Sequence, residues 1–465
     1  MKRILITLLA ASLGSMPAMA QSESQESVKD KMFESLRPND QTGLNVFEPK
    51  KLDNYEFDKV RVRVGGNFNM HFQGLTQENY YNRHAGEGNA TPQYGLSELG
   101  QDFNLPMANF NLDVVFAPGV TMKLETYLSS RHHVEANVKG GYLQLDALPF
   151  LNSAFLDNLM KKTTIKAGLM EVNYGDAHFR RSDGGNSIYN PFVGNYLMDA
   201  FTTELALEIL MQDEKSGLLG MIGVSNGKLN QSTAKIEGAA PSLYGKVGID
   251  KQVNSDLRVR TTGSFYTSFG EAVNYLYTGD RAGSRYFNVT SFYDADGNVV
   301  TANDWSGRVR KGFNKFTSFQ INQFVKYQGL EFFGTYEYSA DGMDQMTGTD
   351  ASGQTIVAEK GNYNQFVAEL LYRFGEGEKF YVGGRYNTAF GNDGTLTTSE
   401  ESGVSSKSED FRVDRFNIGG GWFMTKNILT KIEYVNQHYK DGEALGPQFK
   451  DARFHGVNIE AVIAF

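Results

Sequence analysis

An all-β, transmembrane antiparallel barrel of about sixteen strands, with short turns at one rim and long loops at the other, is what this sequence predicts. Three observations carry that expectation. Apolar and polar residues alternate with period two through long segments, short and long connections alternate along the chain, and the last alternating segment ends on Phe465.

The alternation begins at Val60. Val60, Val62, Val64, Phe68, Met70 and Phe72 are interleaved with Arg61, Arg63, Asn67, Asn69, His71 and Gln73. Such a strand is longer than the roughly 5–6 residues usual in soluble sheets and suits a tilted membrane strand. The pattern recurs at Ala108–Phe116 around Asn109, Asn111 and Asp113, and at Leu205–Met211 around Glu204 and Glu208. It predicts strands near 58–73, 107–117, 119–129, 134–146, 163–175, 203–212, 217–225, 241–251, 257–268, 313–326, 330–340, 361–373, 378–389, 411–424, 428–439 and 453–465. A soluble sandwich would put the polar face outside, whereas a membrane barrel puts the apolar face toward lipid.

The connections separate the two cases. Ala117-Pro118-Gly119, 213–216, 253–256, 327–329, 375–377 and 425–427 are short, while 74–106, 176–202, 226–240, 269–312, 341–360, 390–410 and 440–452 are mostly long and polar. Two links break the order: 130–133 is short where a long loop is expected, and 147–162 is long where a turn is expected, with a short helix predicted in it. An even strand number places both ends of the barrel at the periplasmic rim.

Composition agrees. Phe (33) and Tyr (24) are abundant, Gly reaches 50 and Pro only 10, a mixture for strands and tight turns. Mean hydropathy is −0.41, and after the first twenty residues no apolar run approaches the roughly 20 residues of a membrane helix. With no cysteine there is no thiolate chemistry, disulfide or Cys nucleophile. The formal charge of −9, which becomes −11 without Lys2 and Arg3, argues against nucleic acid as a partner.

Residues 1–20 read as a secretory leader: Lys2 and Arg3, an apolar core Ile4–Leu13, and a small-residue cleavage site at Ala18-Met19-Ala20. Residues 21–56 are polar and of mixed charge, and are expected as a periplasmic extension before a barrel spanning 57–465. At the other end, Val457, Ile459, Ala461, Ile463 and Phe465 form an alternating face that resembles the C-terminal signal read by the outer-membrane barrel assembly machinery.

The strand VRVRVGGNFNMHFQGL and the block IKAGLMEVNYGDAHFRRSDGGNSIYNPFVGNYLMDAF resemble the phosphate-selective porin O and P type family over the barrel region. The resemblance implies a sixteen-stranded porin in the outer membrane of a Gram-negative cell, embedded in lipid and lipopolysaccharide, with a homotrimer by analogy. No dense Arg ladder or Lys-rich loop is present, so phosphate specificity is not carried over. In porins the third loop folds inward, which makes 176–202 the candidate constriction, with Asp176, His178, Arg180, Arg181 and Asp183 as its charges and Gly184-Gly185 as a bend. The alternation points Arg61, Arg63, Lys123, Glu125, Lys166, Glu204, Glu208, Arg258, Arg260, Arg385 and Arg415 at the lumen, a wall of both signs.

Other signals are weaker. Asp294-Ala295-Asp296-Gly297-Asn298 lacks the downstream Glu of a calcium loop and reads as a hairpin. His132-His133 lacks a third ligand, and Asn288-Val289-Thr290 is only a common sequon. His178 with Asp176 and Ser182 is the one cluster that could suggest hydrolysis, at a spacing matching no known arrangement. No cofactor, metal or catalytic residue is expected. The reading is a passive channel for small polar or charged solutes, with a non-conducting scaffold, receptor or accessory subunit as the alternative.

Overall fold

The computed structural model describes residues 32–52, 55, 57–85, 92–104, 106–129, 135–229, 233–278, 286–301, 306–311, 313–342, 347–349, 355–357, 360–394, 396–398, 405–407 and 409–465. The expected leader and its cleavage site, and His132-His133, lie outside the described residues.

Sixteen long strands follow one another: β1 (Arg61–Glu78), β2 (Met107–Ala117), β3 (Val120–Ser129), β4 (Glu135–Leu145), β5 (Thr163–Glu171), β6 (Thr203–Asp213), β7 (Leu218–Ser225), β8 (Ser242–Gln252), β9 (Leu257–Ser268), β10 (Phe316–Tyr327), β11 (Leu330–Asp341), β12 (Asn362–Phe374), β13 (Phe380–Asn392), β14 (Phe411–Thr425), β15 (Ile428–Tyr439) and β16 (Arg453–Ala464). Each pairs antiparallel with the next. The sheet closes where β1 meets β16, from Asn67↔Ala464 to Glu78↔Arg453. Closure leaves no sheet edge, which is what allows a β-structure to sit in hydrocarbon.

The predicted strands match closely, and the departures have local causes. β1 runs on to Glu78 because its last residues pair with the start of β16. β5 stops at Glu171 because the Val172 N–H turns to donate to Thr202 O across the neck of the following loop. Asp294–Asn298 is the tip of a small hairpin in which Phe292 and Tyr293 pair with Val300 and Val299.

The two faces are inverted relative to a soluble protein. On β12, Tyr363, Gln365, Val367, Glu369 and Leu371 are buried, while Phe366, Leu370 and Tyr372 are exposed. The same parity leaves Val62, Val64, Met70, Phe319, Ile321, Ile418 and Ile432 on the outside. Near the turn rim, Tyr372, Phe374, Phe380 and Trp422 stack in a row with ring centroids 5.9, 5.6 and 6.1 Å apart. That row has the character of an interfacial aromatic girdle. Val457, Ile459, Ile463 and Phe465 are all on the exposed face, with Asn458, Glu460 and Val462 turned inward. The core of this molecule is therefore the lumen.

Candidate functional site

The loop between β5 and β6, residues 172–202, lies inside the barrel and is fastened to the wall of β8–β15. Asp176 donates its N–H to Asn322 Oδ1 at 2.9 Å. Its carboxylate accepts from Arg260 Nε at 2.8 Å, Thr262 Oγ1 at 2.8 Å and Lys246 Nζ at 3.0 Å. Arg180 pairs with Glu331 at 2.8 Å and Glu369 at 3.1 Å. Further along, wall side chains bond the loop's backbone. Lys431 Nζ donates to the carbonyls of Ser187, Asn190 and Phe192 at 3.0, 3.1 and 3.0 Å. Arg385 donates to Gly194 O at 2.6 Å, Arg415 to Asn195 O at 2.6 Å, and Glu433 accepts the Val193 N–H at 2.8 Å. Ile188, Phe192, Val193 and Leu197 are almost fully buried.

These contacts divide the charges expected along the lumen. Asp176 and Arg180 of the loop, and Arg260, Arg385 and Arg415 of the wall, are buried and consumed in fixing the loop. Glu204 is buried against Ser225 and Tyr266. Arg258 is paired with Asp250 at 2.7 Å. Parity gives the direction of a side chain but not what will cover it.

The loop's other charges face β1–β6. Arg181 makes a bidentate pair with Asp199 at 2.8 and 2.7 Å and lies 3.8 Å from the centroid of Phe201. Asp183 pairs with Lys139 of β4, which also reaches Glu125 at 3.0 Å. His178 bonds Glu171 at 2.7 Å and Asn173 at 3.0 Å, while Ser182 is held by Asn190 and Asn195, so His178, Asp176 and Ser182 are not assembled as a hydrolytic set. Gly184 takes φ +58°, the left-handed turn that lets the chain double back beside Asn109.

The N-terminal segment is also inside. Residues 32–52 trace a circuit of the turn-side mouth. Ser35 O accepts from Gln144 of β4 at 3.3 Å. Asn39 donates to Gly66 O and Phe465 O at 3.0 Å each, and the Gln41 N–H donates to Lys426 O at 2.8 Å. Asn45 bonds Glu331 at 2.7 Å, and Phe47 packs edge-on against Phe324 and Phe179 with centroids 5.5 and 5.7 Å away. Glu48 receives Arg260 at 2.7 Å and Lys246 at 3.0 Å, and Lys51 pairs with Asp146 at 3.2 Å. Burial pushes the Glu48 carboxyl up, but Arg260 and Lys246 outweigh it and hold the group at about 2. Residues 32–52, part of the stretch expected as a periplasmic extension, thus form a belt within the turn-side mouth. Its partners lie from 27 to 426 positions away, beyond any local signal.

From the other rim, the loop before β10 folds in: Leu276, Tyr277, Tyr286, Val289 and Val309 are buried against Tyr174, Phe316, Phe411 and Tyr439. Among the described residues, a cavity of about 430 Å³ lies on the β1–β6 side. It runs from Arg63, Lys426 and Phe465 at the turn-side mouth to Glu171, Phe201 and Thr203 at the loop ends of β5 and β6. Basic and acidic side chains line it in equal number, but unequally presented. Arg63 is 37% exposed against 10% for its partner Asp113, Lys123 33% against 14% for Glu125, and Lys166 19% against 2% for Glu208, whereas at the loop end Glu171 is 39% exposed against 4% for His178. Arg61, at the rim, pairs with Asp58. Lys139, absent from the lumen charges expected above, sits at a bulge of β4 where Gly140 pairs with Glu125 and Val138 with Thr126, which breaks the strand's parity. Among the described residues, no group of three His, Asp or Glu side chains is arranged to hold a metal ion.

No family model and no curated protein matches the sequence. Solved structures do. The anion-selective porin from Comamonas acidovorans matches at 10% identity over 88% of this chain and 100% of its own, with TM-score 0.47. OprB of Pseudomonas putida matches at 10% identity over 88% and 94%, with TM-score 0.47. The outer membrane channel DcaP of Acinetobacter baumannii matches at 13% identity over 89% and 100%, with TM-score 0.45.

Proposed function

We propose that this chain is a narrow diffusion channel of the Gram-negative outer membrane, without enzymatic activity, passing small polar or charged solutes along the β1–β6 wall. The observation that supports this reading best is the continuous, charge-lined cavity beside a loop held rigidly to the opposite wall. A polar path of this kind replaces the cost of taking a charged solute through hydrocarbon. Arg63, Lys123 and Lys166 are each more exposed than their carboxylate partners, so a passing solute meets cations on the turn-side half of the path and the exposed Glu171 at its loop end. Passage depends on fluctuation of the inner loop and the belt, and gives a small conductance. The O and P type resemblance, export with cleavage near Ala20, assembly signalling through Phe465 and a trimeric state belong to the same proposal.

The test is single-channel recording of the refolded protein in planar bilayers. Small stable steps support the reading, and a folded barrel without conductance overturns it. One observation favours a second reading: belt and inner loops are both packed into the lumen, as in a barrel that serves as a scaffold. A barrel that is silent intact but conducts after deletion of 32–52 would point there.

A further inference from the structure

We infer that the link between β4 and β5, residues 146–162, is a membrane foot whose apolar face enters the periplasmic leaflet of phospholipid. This link departs from the other turn-side connections, which are short, and it carries the helix Ala154–Met160. Phe150, Leu151, Phe155 and Leu159 are 62%, 49%, 76% and 43% exposed, a cluster of large apolar side chains on a segment that a water-facing turn would make polar. Phe155 and Leu159 are one helical turn apart and so share a face.

Two observations place that face against the bilayer. First, Thr163 pairs with Met211, and directly paired residues share a side of the sheet. Met211 is 48% exposed on the apolar exterior, yet Thr163 is 3% exposed, and its hydroxyl donates to Leu159 O at 2.9 Å. The helix end therefore covers the outer surface of the wall, not the lumen. Second, the patch continues the lipid-facing surface of β4 and β6, where Leu143, Ile209 and Met211 are exposed. Lys161 and Lys162 follow the apolar face, and Lys162 stays 61% exposed even while pairing with Asp213, as suits side chains at a phosphate-rich interface. The foot would fix the depth and tilt of the barrel at this side.

The chain has no cysteine, so a single introduced one is a unique label site. Phe155→Cys, Leu151→Cys, Asp157→Cys and the lipid-facing wall control Ile321→Cys, each carrying an environment-sensitive fluorophore, are folded as the full chain into phosphatidylethanolamine–phosphatidylglycerol vesicles. The expected result is blue-shifted emission at 155 and 151, quenched by nitroxide lipids labelled near the headgroup and several-fold less by aqueous iodide than at 157. Two independent foot positions guard against one label disturbing the fold. Water-like emission at both, with iodide quenching equal to that at 157, overturns the inference. So does protection that disappears when the protein is diluted in lipid, which would mean that a second copy covers the patch.

Discussion

Arg260 of the barrel wall holds Glu48 of the N-terminal belt at 2.7 Å, with both side chains 1% exposed. The same guanidinium holds Asp176 of the inner loop at 2.8 Å, and Lys246 bridges both carboxylates at 3.0 Å. One buried cluster thus fastens two separate segments to one stretch of wall. Breaking a buried pair by removing one partner costs about 3–5 kcal/mol. Glu48→Ala should therefore lower the thermal midpoint and raise conductance by loosening the belt, and deletion of 32–52 should raise conductance further. Unchanged single-channel conductance in both would show that the belt does not limit the path.

The cluster also sets a pH response. Arg260 and Lys246 hold Glu48 at about 2, below its ordinary 4.5, and lower Asp176 for the same reasons despite the upward push of burial. A carboxyl depressed on folding contributes stability that is complete above its unfolded value and is lost as pH falls through the folded one. The cluster's own contribution to the thermal midpoint should be flat from about pH 8 to about pH 5 and should fall only below about pH 4. A stability difference between the protein and Glu48→Ala that already vanished near neutral pH would rule out this cluster as the latch.

The cations on the β1–β6 wall give a test of the path itself. Lys123→Glu or Arg63→Gln should move the zero-current potential in a salt gradient toward cation preference, and the shift should shrink at high salt through screening. Arg415→Gln, whose side chain is bound up behind the inner loop, should not produce such a shift through charge alone. Equal shifts from Lys123 and Arg415 would place the path elsewhere. Deleting 184–195 should enlarge the conductance as the loop withdraws from the wall.

The strands were legible because in a lipid-facing barrel the parity of each strand is written in its side chains. β9 was expected at 257–268 and is found at Leu257–Ser268, and β15 at 428–439 is found at Ile428–Tyr439. The inner loop was legible in position but not in contacts: Asp176 and Arg180 look like pore charges in sequence, and only the fold reveals that Arg260 and Glu331 claim them. The belt was illegible. Residues 32–52 have no periodicity, and Asn45 and Glu48 find partners at 331, 246 and 260. Lys246 could have been read as lumen-facing from its parity on β8, yet nothing local would link it to Glu48.

Gly194 tests how tightly the two inward-folded loops are joined. A Cβ there would lie 2.2 Å from Tyr286 Oη, whose hydroxyl donates to Glu433 at 2.5 Å and accepts from Asn417 at 2.9 Å. Glu433 in turn accepts the Val193 N–H, so the loop at 172–202, the loop before β10 and the wall meet at one carboxylate. Gly194→Ala must displace the Tyr286 ring or the loop backbone, an overpacking cost of about 1–3 kcal/mol. Tyr286→Ala loses the bond to Glu433 but removes the ring whose Cζ and Cε2 would lie 2.3 and 2.5 Å from that Cβ. The double variant should therefore cost less than the sum of the single ones, because the clash falls on the ring the second change removes. Additive losses in thermal midpoint would mean that the backbone yields, not the ring, and that the two loops move independently.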